Sequence, residues 1–177
     1  WSASEKVPAY GSRNILTWNG GAGTSFPTSA QETALARSIG VAPVTGAENA
    51  NYLKGDPSKE SRNTGGTLRN RADTVLGDIV DSSPAYSTDN NTLFVGANDG
   101  MLHAFDAASG QEIFAYVPNI LNFNALATLS RGDYAHRFFV DGPVIVSSQR
   151  QTPGKNTLVA TLGKGGKGLF ALNVATP

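Results

Sequence analysis

The sequence contains no cysteine, one methionine and two histidines. Without cysteine, disulfides, thiolate metal sites and a cysteine nucleophile are excluded within the chain. That absence assigns no compartment, because exported proteins can also lack cysteine. Charge is scarce as well: 16% of residues are charged, and 14 basic side chains balance 14 acidic ones to a formal net charge of zero. Neither nucleic acid nor an anionic membrane is therefore indicated as the main partner. No apolar run approaches the length needed to span a bilayer. No secretory leader is visible, yet the chain begins at Trp1 rather than Met, so it reads as a piece of a longer protein.

What is present suits strands and turns. The chain has 177 residues, 40% of them hydrophobic, with 20 glycines. This is enough for a core, and the composition favours many short strands over a helical bundle. Residues 1–27 look irregular apart from a strand at Arg13 to Trp18, "RNILTW", followed by the turn "NGGAGT". Ser29 and Glu32 have capping-box spacing before an apolar run that Gly40 would stop, predicting a helix over 30–39. Thr45, Glu48 and Gly55 repeat that grammar and predict a helix over 46–54. The polar stretch 55–71 predicts a loop in which Lys59, Arg69 and Arg71 are solvated.

From Val75 the texture changes. "VLGDIVDSSPAYS" leads into a strand broken at Pro84, and "NTLFVGA", "MLHAFDA" and "QEIFAYV" read as three more strands. "NDG" and "ASG" join them as tight turns, with Asn98-Asp99-Gly100 supplying positive-φ residues. Leu102, Ala104 and Asp106 alternate with His103, Phe105 and Ala107, so the two faces of that strand differ. Ile120, Leu121, Phe123, Leu126 and Leu129 predict a short helix packed on one side. A second pass then begins. Val80-Asp81 matches Val140-Asp141, Pro84 roughly matches Pro143, and Asn91-Thr92-Leu93 matches Asn156-Thr157-Leu158. "LHAFDAASG" matches "LFALNVATP" in the same way. Two repeats of a four-stranded unit predict a mainly β fold, a partial β-propeller. It would have about two antiparallel blades, the second incomplete, with helical segments before and between them. The division expected is a lead-in over 1–74 and blades over 75–177. The ring needs the remainder of the parent chain to close, and the piece alone should be unstable or oligomeric.

The phrases "VLGDIVDSSPAY", "FVGANDGMLHAFDAASGQEIFAYVPNIL", "HRFFVDGPV" and "LGKGGKGLFALNVATP" together resemble the propeller of the PilC/PilY family. These are type IV pilus assembly and tip-adhesin proteins of Gram-negative bacteria. The resemblance extends over 50–177. It implies a non-enzymatic, exported pilus biogenesis factor at the pilus tip, outer membrane or cell surface, supporting pilus extension, twitching motility and adhesion. Implied partners are minor pilins and a host-cell receptor. The family's calcium loop is expected outside this segment; neither "DNN" (89–91) nor "GDPSKE" (55–60) has the required oxygen spacing, so no cofactor is assigned here.

Several residues invite sharper readings. Arg131, Gly132 and Asp133 form an RGD triplet, a candidate receptor-binding loop whose plainer reading is a surface turn. His103, in a strand among apolar neighbours, reads as a satisfied blade histidine and not a catalytic base, and His136 as a structural junction. No histidine stands at suggestive spacing from a serine and an acid, so no catalytic residue is assigned. "GKGGKG" (163–168) lacks the full phosphate-loop pattern and reads as a hairpin loop. Asp78, Asp81, Asp99, Asp106 and Asp141 fall at blade turns, where carboxylates accept backbone N–H bonds; the alternative is that they line a channel. Trp1 and Trp18 are isolated and carry no message. Two alternatives differ in class: a periplasmic quinoprotein dehydrogenase, whose blades share the turn phrase, and a sugar-binding propeller.

Overall fold

The computed structural model describes residues 1–38, 43–71 and 74–177. Four short α-helices are α1 (Ala3–Lys6), α2 (Ser29–Leu35), α3 (Gly46–Lys54) and α4 (Phe123–Leu126). Nine strands are β1 (Ile15–Trp18), β2 (Gly23–Ser25), β3 (Ala85–Ser87), β4 (Thr92–Ala97), β5 (Met101–Asp106), β6 (Glu112–Val117), β7 (Val144–Val146), β8 (Thr157–Thr161) and β9 (Leu169–Asn173). They form two sheets, ordered β2-β1-β6-β5-β4-β3 and β7-β8-β9.

Strands β3 to β6 are the expected antiparallel four-stranded blade, and β7 to β9 are the three-stranded second one. The fold is therefore a mainly β partial propeller. One feature was not foreseen. The "RNILTW" strand does not stand apart: β1 pairs in parallel with β6, Ile15 opposite Ala115, and the β1–β2 hairpin widens the first blade to six strands.

Register places Ala85, Phe94, Ala104 and Phe114 on one face of the first blade. That face buries Phe94, Leu102 and Ala104 completely against Leu158, Ala160 and Val144 of the second blade. The opposite face carries Val95, His103, Phe105 and Ala115. It is buried just as deeply, so the faces differ in partner and not in exposure. Gly96 lets the blades approach. A Cβ there would sit 2.4 Å from the carbonyl oxygen of Val140, on the segment leading into β7.

The helices differ from expectation in detail. α3 keeps its forecast: the Thr45 hydroxyl accepts from the Glu48 N–H at 3.1 Å, and Gly55 closes the helix in the left-handed region at φ 114°. α2 is capped one residue earlier, by Thr28 and Gln31 instead of Ser29 and Glu32. Gln31 wins because it is buried and does two jobs. Its Oε1 accepts the Thr28 N–H at 2.8 Å, and its Nε2 donates to the Thr17 hydroxyl at 2.7 Å. α2 ends at Leu35, short of the expected 39, and the stop forecast at Gly40 lies outside the described residues. The helix expected near 120–129 is α4 followed by a 3-10 turn, with Leu121, Phe123, Leu126 and Leu129 buried but Ile120 exposed. Asn49 binds the layer together, donating to Leu35 O at 2.8 Å and Ala127 O at 3.0 Å.

The loop 55–71 carries a second correction. Arg69 and Arg71 are not solvated. The Arg71 guanidinium lies 3.9 Å from the Tyr52 ring centre, pairs with the fully buried Glu60 at 2.6 Å and donates to Tyr52 O and Asp56 O. Arg69 donates to Leu129 O and lies over Tyr134. The end of α3 and the loop leave backbone carbonyls that need donors, and arginine supplies several from one planar group. Lys59 is exposed, as expected.

Candidate functional site

The most highly charged interior site lies on the face of the first blade turned away from the second. β5 carries His103 and β6 carries Glu112, both buried, while Asp99 caps the β4–β5 turn. The His103 Nδ1 lies 2.7 Å from Glu112 Oε1, and its Nε2 lies 3.0 Å from Asp99 Oδ2. Arg13 enters from the segment before β1 and grips Glu112 at two points, 2.8 Å and 2.7 Å. Asp99 also accepts the Gly77 and Met101 N–H groups. Two cations thus face two anions. Burial alone would push His103 down, but the Asp99 charge and the bonds to Asp99 and Glu112 outweigh it and hold the imidazole up at about 9. Burial would push Glu112 up, but His103 and Arg13 hold it down at about 2. The same imidazolium lowers Asp99 against its own desolvation.

A histidine between two carboxylates resembles acid–base machinery, but this one has no free nitrogen and is 0% exposed. An imidazolium with a pKa of about 9 is no base near neutrality. The cluster ties the lead-in to the blade. Sequence reading had placed His103 inside the blade; it missed Arg13 and Glu112, which lie 99 positions apart and share no local pattern.

The other singled-out residues sit at turns and seams. Asp99, Asp106 and Asp141 accept backbone N–H bonds, from Met101, Ser109 and Asp81 respectively. Asp78 and Asp81 do not follow that rule: they pair with His136 at 2.7 Å and Lys164 at 2.8 Å. Both pairs are exposed; they tie the segment before β3 to the approach to β7, through His136, and to the β8–β9 connection, through Lys164. "GKGGKG" is the β8–β9 connection, a single 3-10 turn followed by a strand. Arg131 and Asp133 are joined to each other by two 2.7 Å bonds on an exposed turn, so each charge of the RGD triplet is presented already paired. Trp1 is not isolated. Its ring lies 6.4 Å from Phe105, and its Nε1 donates to Ala107 O.

Two openings adjoin residues described above. A groove of about 1080 Å³ runs between the outer strands of the two blades, lined by Leu16, Trp18, Tyr116, Ile120 and Leu169 among others. A smaller cavity of about 240 Å³ is walled by Tyr52, Arg69, Tyr134 and His136. Among the described residues no group of three or more His, Cys, Asp or Glu side chains could hold a metal ion, and no helix is long and apolar enough to cross a membrane.

Two packed sheets, each built on an antiparallel blade, with the ionisable centre locked internally, define a segment of a β-propeller. Residues 68–176 match the family model described as the PilY1 beta-propeller domain, and the chain belongs to that family. It is 41% identical over 160 residues to a "Type IV pilus biogenesis factor PilY1 homolog" of Xylella fastidiosa, covering 74% of this chain and 13% of that protein. It is 38% identical over 168 residues to "Type IV pilus biogenesis factor PilY1" of Pseudomonas aeruginosa strain PAK, covering 77% and 14%. The chain thus spans about one seventh of the length of these relatives. No solved structure matches it.

Proposed function

We propose that the chain is the opening segment of the propeller of a type IV pilus biogenesis factor, and that it acts by binding, without catalysis. The observation that carries this reading is the family match across 68–176, together with relatives that bear that name at about 40% identity. The site chemistry agrees with it: the best-organised ionisable group is sealed, with both His103 nitrogens occupied. In this reading the whole protein is exported and works at the pilus tip, outer membrane or cell surface. There it meets minor pilins and surfaces to support pilus extension, twitching and adhesion. Any calcium site lies elsewhere in the parent chain, and the RGD turn is a candidate receptor contact through Arg131 and Asp133.

Deletion of the parent gene in its own bacterium tests the reading, with surface pili, twitching and adhesion scored beside quinone-dependent alcohol or sugar oxidation. Loss of pili or motility with oxidation intact is expected. Normal pili with lost oxidation would replace it with the quinoprotein reading.

A further inference from the structure

The two outer faces of this blade pair are finished differently. On the second blade, register puts Ile145, Val159 and Ala171 on the face turned away from the first. Ile145 and Leu169 there are 66% and 65% exposed. By the internal repeat, Val159, Leu169 and Ala171 correspond to Phe94, Leu102 and Ala104, which are 0% exposed because the second blade covers them. An apolar face whose repeat counterpart is a blade-to-blade contact awaits another blade.

The far face of the first blade is already partly filled, and by the lead-in. His103 and Ala115 are 0% exposed and Phe105 1%. Arg13 lies over this face through Glu112 and reaches Met101 Sδ at 3.9 Å. Trp1 lies over Phe105 and Gly110, where an added Cβ would meet its ring at 2.4 Å. The cover stops short of the sheet's other end. Tyr86 on β3, paired with Leu93 on β4, is 51% exposed, and Leu93 is half-buried.

Geometry explains the division. The two blades' backbones come closest at β3, β4 and β7; outward they are bridged by side chains, Tyr116 and Phe170 with ring centres 5.4 Å apart, and the large groove opens beside them. Sheets that radiate from an axis leave a gap that widens outward. A neighbour on the far face could reach β3 and β4 closely, whereas the outer gap over β5 and β6 needs filler. Trp1 over Phe105 and Arg13 on Glu112 supply part of that filler, beside the helical layer that packs on Met101, Ala115 and Val117.

We propose that the ring of the longer protein closes across a composite seam. Its last blade meets the first blade directly at Tyr86 and Leu93, and meets the lead-in, at Trp1, further out. The proposal rests on the reading that the longer protein carries a complete propeller. The occupant is the last blade of the same polypeptide. About six sevenths of the relatives' length lies outside the segment matched here, ample for further blades. A second copy adding head to tail is the competing occupant, which the cross-linking separates.

Photo-cross-linking in the full-length protein tests it, with benzoyl-phenylalanine placed singly at Tyr86, Trp1 and Ile145 and the products mapped by peptide mass spectrometry. All three sites are exposed, and each variant is accepted only if its melting temperature matches the parent's. Ile145 is expected to capture the sequence soon after Pro177. Tyr86 and Trp1 are both expected to capture one and the same blade, the last of the same polypeptide. If Ile145 behaves so but Tyr86 or Trp1 misses the last blade, the seam is wrong while the propeller stands. If Ile145 also finds no following blade, the propeller reading itself fails and the seam with it. Capture of another protein, or of a second copy at concentrations that form dimers, at Tyr86 or Trp1 would overturn the seam and make this face a docking site.

Discussion

Arg13 and Glu112, 99 positions apart, meet in a two-point ion pair in which each side chain is only 1% exposed. The pair joins the segment before β1 to the outer strand of the first blade, beside the parallel β1–β6 ladder. Removing one member of a buried pair strands the other, which typically costs about 3–5 kcal/mol. Arg13→Ala is therefore expected to lower the unfolding free energy by an amount of that order, read as a fall in the urea midpoint. Arg13→Lys should recover only part, because an ammonium cannot reproduce the planar two-point grip. Equal midpoints for Arg13→Ala and the parent would remove the pair from any account of the fold.

The same cluster predicts a window of pH stability. His103 is raised from 6.5 to about 9 in the folded chain, so it favours folding fully below about 6.5, and that contribution fades as pH climbs through 9. Glu112 is lowered from 4.5 to about 2, so its contribution is complete above about 4.5 and fades as pH falls toward 2. Melting temperatures measured from pH 3 to 10 should decline on both sides of that interval. In His103→Gln the alkaline decline should be shallower, since the group responsible is gone; an unchanged alkaline limb would assign it elsewhere.

Gly96 and Gly132 should respond oppositely to alanine. At Gly96 the new methyl meets the Val140 carbonyl oxygen at 2.4 Å, and backbone must move where two blades touch. Overpacking of this kind costs roughly 1–3 kcal/mol. At Gly132 nothing lies within 4 Å. Gly132→Ala should leave the unfolding midpoint unchanged, which makes it a clean probe of the RGD turn.

Asp133→Ala separates structural from receptor roles for that turn. Asp133 is exposed and its bonds are confined to Arg131 and the turn, so stability should not move. Adhesion of the intact bacterium should fall if the triplet is a receptor contact. Adhesion equal to the parent strain would retire that reading.

Arg71 should tolerate no conservative exchange. Its guanidinium serves Glu60, two carbonyls and the Tyr52 face together. Arg71→Lys keeps the charge but cannot fill all four, and Glu60 is fully buried. Proteolysis within 55–71 should accelerate at least several-fold in Arg71→Lys relative to the parent; an unchanged digestion rate would show that a point charge suffices.

Much of this chain was legible before any coordinates. Asn98-Asp99-Gly100 fixes a hairpin because the turn needs a positive φ that glycine supplies, and Gly100 adopts φ 91°. Thr45, Glu48 and Gly55 delimit α3 because capping is chemistry within one or two helical turns. The repeated "NTL" and "LHAF/LFAL" phrases located the strands of both blades, since a strand's period and its turns are local properties. What the sequence by itself determined was therefore the strands of both blades, the helix α3 and the blade class, but not α1 or β2.

Tertiary structure alone decided which of those elements touch. Nothing near "RNILTW" says that β1 lies parallel to β6. Nothing near Arg69 and Arg71 says that their charges are drawn inward, and nothing local picks Gln31 over Glu32 for the cap. Each outcome depends on a partner 14 or more positions away: Ala115 for Ile15, Leu129 for Arg69, Thr17 for Gln31. Local sequence sets φ, ψ and hydrogen bonds within a turn or two. Burial of a carbonyl or a carboxylate, and hence the value of a distant donor, exists only once the chain has packed.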